Sequence, residues 1–112
     1  MAKWVLDDMT MNEYQEEALT TAIYPEDQAL AYLSLKLCGE AGEVAEKIGK
    51  SIRDDKPLND KDLAKELGDV LWYVTCCVDD MGQTLENLAW RNAEKLASRM
   101  ERGVIQGDGD TR

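Results

Sequence analysis

The chain contains no histidine in its 112 residues. That absence excludes Ser-His and Cys-His nucleophilic machinery, zinc sites with imidazole ligands, and the Glu-x-x-His pairs of di-iron helical bundles. Cysteine is sparse and odd in number: Cys38, Cys76 and Cys77. Two are adjacent, so neither a disulfide framework nor a CxxC metal site fits, and all three read as reduced, buried, small hydrophobes. No apolar run approaches the roughly 18 residues that span a membrane. The opening MAKWVLDDMT has acids where a signal peptide carries its apolar stretch, so the expectation is a soluble cytoplasmic protein. Bases are outnumbered, 13 against 23 acids, for a formal charge of −10. The concentrated basic surface that nucleic-acid binding needs is missing. A Gly-rich phosphate loop is missing too, because the glycines of GDGD follow a helix and precede the C-terminus. Chemistry here has to rest on carboxylates, Lys, Arg, Tyr and a metal held by acids.

What is present is helical periodicity. The length suits one domain over residues 1–112, with 1–9 and 103–112 read as flexible tails. Thr10 and Glu13 have capping-box spacing and open a first helix that runs to about Tyr24. Pro25 suits the first position of a second helix, which carries Leu30, Leu33, Leu37, Val44 and Ile48 on one stripe to about Ile52. RDDKPLND is a turn. A third helix spans about Asp60 to Met81, with Leu63, Leu67, Val70, Val74, Cys77 and Met81 as its seam and Gly82 as its stop. Thr84 caps a fourth helix that ends near Arg102, before Gly103. The fold class is all-α, a four-helix bundle-like arrangement. Leu71, Trp72 and Cys76 widen the apolar face of the third helix beyond what four short helices cover, which implies a homo-oligomer, dimer or tetramer.

One pattern occurs twice. Glu40-Ala41-Gly42-Glu43-Val44 and Glu66-Leu67-Gly68-Asp69-Val70 both read Glu, any residue, Gly, acid, Val, 26 residues apart. Residues three apart on a helix are about 60° apart in azimuth, so each acid pair faces one way, at the border of the apolar stripe. The midpoint of Glu43 and Glu66 falls between Asp54 and Asp55, inside the turn, so an antiparallel hairpin brings the pairs level. Gly42 and Gly68 then read as room for close approach of backbones or a ligand. Four converging carboxylates need a counter-charge, and an all-oxygen donor set selects Mg²⁺, with Mn²⁺ as a substitute. The competing reading is a solvated edge paired at i,i+4, as Lys36–Glu40, Glu43–Lys47 and Lys65–Asp69.

These motifs resemble those of the MazG-type all-α nucleoside triphosphate pyrophosphohydrolases, whose mark is Glu-Glu-x-x-Glu followed by Glu-x-x-Asp. The resemblance covers nearly the whole chain, from the Tyr14-Gln15 region to GDGDTR, and departs from the family where Gly39 replaces the first Glu. It implies that Glu40, Glu43, Glu66 and Asp69 hold magnesium. An Asn-x-x-Lys-x-x-x-Arg run in the family is matched by Asn92, Lys95 and Arg99. The resemblance therefore implies phosphate contacts from Lys95 and Arg99 and a sugar or base contact from Asn92, with Tyr73 bordering the nucleotide. Arg91 and Arg102 read as a solvated basic face, and Trp72 and Trp90 as core or interface aromatics. The implied reaction is Mg²⁺-dependent hydrolysis of a (deoxy)nucleoside triphosphate to monophosphate and pyrophosphate, with Glu43 nominated to take the water's proton. Two alternatives stand beside it: a related enzyme narrowed to one pyrimidine deoxynucleotide, of the dCTPase/dUTPase kind, and a non-enzymatic acidic interaction bundle.

Overall fold

The computed structural model describes residues 8–112 and is all-helical: α1 (Met11–Leu19), α2 (Ala29–Asp54), α3 (Asp60–Asp80) and α4 (Leu85–Glu101), with a 3-10 turn at Glu26–Gln28. There is no strand among the described residues. All but two residues of the expected N-terminal tail lie outside that range.

α1 opens on the expected capping box, with the Glu13 N–H donating to the Thr10 hydroxyl (3.1 Å) and the Thr10 N–H to the Glu13 carboxylate (2.9 Å). It stops at Leu19, a turn short of the expected Tyr24. The Thr20 and Thr21 hydroxyls donate back to the Glu17 and Ala18 carbonyls at 2.7 and 2.8 Å, and Pro25 forces the backbone before it out of the helical region. Pro25 itself is the N-cap of the 3-10 turn, not the first residue of α2, which begins at Ala29. α2 outlasts its expected end by two residues and closes on Asp55, whose φ of 50° is left-handed. A short polar side chain tolerates that region better than most. Asn59 caps α3, its side-chain oxygen accepting from the Lys61 and Asp62 amides at 3.0 and 3.2 Å. Thr84 caps α4 as expected.

α2 and α3 form the principal pair, an antiparallel hairpin; α1 packs on α3 and α4, and α4 makes no contact with α2. The core centres on Ala29, Leu33 and Cys76, with Leu19, Ala22, Tyr24, Trp72, Tyr73 and Cys77 packed around them. Trp72 belongs to this structure, its indole N–H donating to the Ala18 carbonyl (3.2 Å) and the Thr21 hydroxyl (3.0 Å). Gln15 ties three elements together through Asp79, the Gln83 carbonyl and the Leu85 amide. Of the three cysteines expected to be buried, only Cys76 is; Cys77 is half-buried and Cys38 exposed. Cys38 lies on a turn of α2 outside the core cluster, so helical spacing alone was a poor guide to its burial. Several residues of the expected stripes are also uncovered, among them Leu30, Ile48, Leu67 and Met81.

Candidate metal and nucleotide site

The α2–α3 hairpin brings the two acidic motifs together. One carboxylate oxygen from each of Glu40, Glu66 and Asp69 lies within 4.8 Å of the other two. Glu40 comes from α2; Glu66 and Asp69 come from α3, one turn apart. Glu40 and Glu66 are half-buried and Asp69 is exposed, so the cluster sits on the rim of the buried face. Glu43, one turn along α2 from Glu40, is exposed and stands outside this closest set.

The electrostatics fit a cation site. The Glu40 carboxyl is held above the ordinary carboxylate value, by burial first and then by the facing charges of Asp69 and Glu66, with Lys36 partly offsetting them. Three acids gathered against mutual repulsion are a donor set for a hard divalent ion, since oxygen ligands without imidazole or thiolate suit Mg²⁺ or Mn²⁺. The i,i+4 pairs of the competing solvated-edge reading do not form among the described residues. Lys47 instead reaches across the hairpin to Glu66 at 3.9 Å, a long contact at the edge of the cluster. Lys50 pairs with Glu46 at 3.8 Å.

The two motif glycines have a different setting from the one expected. A methyl group at Gly42 or Gly68 would meet nothing within 4 Å, and the same holds at Gly39. Close backbone approach within the subunit is therefore not their role. Both open onto free space beside the carboxylates.

Tyr73 does border the cluster. Its ring packs edge-on against Trp72 at 4.9 Å, and its phenol is held above the usual value by burial, then by Tyr32, Glu40 and Asp69. The α4 residues pair with other groups. Asn92 is exposed. Lys95 and Arg99 donate to Asp110, Lys95 at 3.0 Å and Arg99 at 3.1 Å, and no hydrogen bond or ion pair among the described residues joins them to the hairpin acids. Arg99, for which the resemblance implied a phosphate contact, is buried, at 5% exposure. Sequence reasoning missed Asp110 and Tyr32. Neither has a spacing signal, because one joins α4 from a loop and the other faces Tyr73 across two helices.

Comparison with known proteins bears on the family. The model of the MazG nucleotide pyrophosphohydrolase domain matches residues 28–104, from the start of α2 past the end of α4. The chain is similar to the "Gene 37 protein" of Mycobacterium phage L5, 43% identical over 114 residues that cover 93% of this chain and 100% of the phage protein. No solved structure matches it significantly. The matched span holds both acidic motifs and all of α2, α3 and α4, and on that ground the chain belongs to the MazG nucleotide pyrophosphohydrolase domain family.

Proposed function

We propose that this protein hydrolyses nucleoside or deoxynucleoside triphosphates to the monophosphate and pyrophosphate, using Mg²⁺ held by Glu40, Glu66 and Asp69, with Glu43 as a further ligand or base. The observation that carries the reading is the convergence of those three carboxylates from two helices, in a chain with no other hard-ion donor set among its described residues. When bound, the ion supplies neutralisation of phosphate charge and activation of a water. The chain's own residues supply the rest. Glu43, exposed at the edge of the cluster, accepts the water's proton as oxygen attacks the α-phosphorus and the bond to the bridging oxygen breaks. The cationic side of α4, with Lys95 and Arg99, offsets the charge of the departing pyrophosphate, and Asn92 reaches the sugar or base. Tyr73 closes one wall of the nucleotide site. Because Lys95 and Arg99 pair with Asp110 and not with the hairpin acids among the described residues, a homo-oligomer in which a neighbouring subunit supplies the cations belongs to this proposal, as does a cytoplasmic place of action on free nucleotides. No described helix is long and apolar enough to cross a membrane.

The test is incubation of the protein with each common NTP and dNTP plus Mg²⁺, scoring pyrophosphate against orthophosphate. Pyrophosphate release that vanishes in Glu66→Gln and Asp69→Asn is the expected result, with a loss of at least about 10²-fold. Orthophosphate alone would refute attack at the α-position. No release from any substrate would sink the enzyme reading. A removal experiment runs in parallel: EDTA should lower the thermal midpoint of the wild type and leave Asp69→Asn unmoved, because an ion that binds only the folded state stabilises it by mass action.

A further inference from the structure

The last ten residues, expected as a tail, follow a defined path back onto α4. Gly103 turns the chain at a φ of 70°, and the Val104 amide donates to the Arg99 carbonyl at 2.8 Å. The Arg112 guanidinium then closes the segment from within, donating to the carbonyls of Val104 (3.0 Å), Ile105 (2.8 Å) and Gly109. Arg102 donates to the Arg112 carbonyl at 2.9 Å. Gly107 is required by this closure. Its φ is +145°, and a Cβ there would lie 3.1 Å from the Arg112 Cδ. The product of the clasp is one contact: Asp110 delivered to Lys95 and Arg99.

Those two cations share one face of α4 at i,i+4, where like charges repel. The Asp110 carboxylate bridges them, and Arg99 also donates to the Asp110 carbonyl. Exposure separates their roles. The Arg99 side chain is 7% exposed, its Nε is buried without a partner, and the donors it uses are turned to the loop. Lys95 is 40% exposed and spends one of its three ammonium donors on Asp110, leaving two for an outside anion. The carboxylate itself is 80% exposed, so the bridge stands at the solvent edge of a buried anchor.

We infer that Asp110 is a positioning residue: seated on Arg99 by the Arg112 clasp, its carboxylate holds the Lys95 ammonium in place for the phosphates of a nucleotide, while Arg99 anchors the loop instead of touching substrate. This rests on the reading of Lys95 as a phosphate contact and divides the labour within it. A long flexible lysine pays rotamer entropy to hold one geometry, and a fixed counter-ion removes part of that cost before the ligand arrives.

The experiment is a double-mutant cycle with Lys95→Ala, Asp110→Ala and the pair together, read by calorimetric binding of inorganic pyrophosphate in Mg²⁺ and, separately, by KM and kcat for the triphosphate hydrolysed best. Asp110→Ala is expected to weaken pyrophosphate binding and raise KM by about tenfold, with a smaller change in kcat, as loss of a charge-assisted hydrogen bond predicts. The pair should be no worse than Lys95→Ala alone. Losses that multiply would overturn the inference, and so would tighter pyrophosphate binding in Asp110→Ala, which would make the carboxylate a competitor for the site. Failure of the wild type to bind pyrophosphate also overturns it. If Asp110→Ala does not fold, Asp110→Asn enters the cycle, keeping an acceptor oxygen without the charge. Coupling in the binding arm with no hydrolysis of any nucleotide would refute the enzymatic reading and leave the positioning role standing.

Discussion

Cys76 has no exposed surface and packs with Leu33 and Ala29 at the centre of the core, its thiol beside the Tyr24 hydroxyl. Burial pushes that thiol up from 9.0 to about 11, against a lowering contribution from Tyr24. Burial likewise pushes the Tyr24 phenol from 10.0 to about 12. Both groups are harder to ionise folded than unfolded, so the stability they contribute is complete below the ordinary values and drains away as pH climbs through the folded ones. The unfolding free energy should therefore fall from pH 9.0 to about 11, by on the order of 3 kcal/mol from Cys76 alone at 1.36 kcal/mol per unit. Denaturant midpoints measured across that range check it. Cys76→Ala should flatten the slope, and an unchanged slope would assign the effect elsewhere. Thiol labelling of the native protein at neutral pH should modify Cys38 fast, Cys77 slowly and Cys76 only on unfolding.

At the scale of the helices, capping chemistry explains what could be read in advance. Thr10 with Glu13, and Thr84 before α4, act through hydrogen bonds within four residues of the chain, and such local devices are written in spacing. The repeated Glu-x-Gly-acid-Val motif was legible for a related reason, because a tight α2–α3 hairpin converts sequence symmetry into spatial opposition. What escaped was long-range or competitive: the threonine hydroxyls that end α1 early, and the loop that returns Asp110 to α4. The burial of Arg99 followed from that loop and had no signal in the four-residue spacing of the α4 cations. The motif glycines stand between these cases, visible in the sequence but misassigned to contact within the subunit. A glycine in a helix interior costs about 1 kcal/mol relative to alanine, and a methyl at Gly42 meets nothing. Gly42→Ala should thus raise the unfolding free energy by up to about 1 kcal/mol in the absence of nucleotide. Chemical denaturation measures it, and a loss would show that matter from outside the subunit packs against that glycine.

On the scale of the whole molecule, several large apolar side chains are left uncovered, and the homo-oligomer of the proposed function is the assembly that would bury them. Leu35 is 74% exposed, Ile52 77%, Met81 64%, Trp90 61% and Met100 70%, spread over α2, α4 and the end of α3. Exposed apolar side chains that gather into a patch mark interfaces, and closed symmetric association is the common way to bury them. The formal charge of −10 opposes association, so screening by salt should favour it. We expect sedimentation velocity at micromolar concentration to give a species of at least two chains, with dissociation on dilution more pronounced at low salt. Leu35→Asp supplies the control. At 74% exposure the new acid costs the lone subunit little, so a shift to monomer with unchanged helicity reads the interface itself. The same variant tests where the site is completed. Glu40, Glu66 and Asp69 belong to one hairpin and should still respond to Mg²⁺ by thermal shift in the monomer. Lys95 pairs with Asp110 and not with the hairpin acids, so under the shared-site proposal nucleotide turnover should fall by at least about tenfold when the neighbouring subunit leaves. Full turnover by a Leu35→Asp monomer would place every functional group within one chain and end the shared-site model.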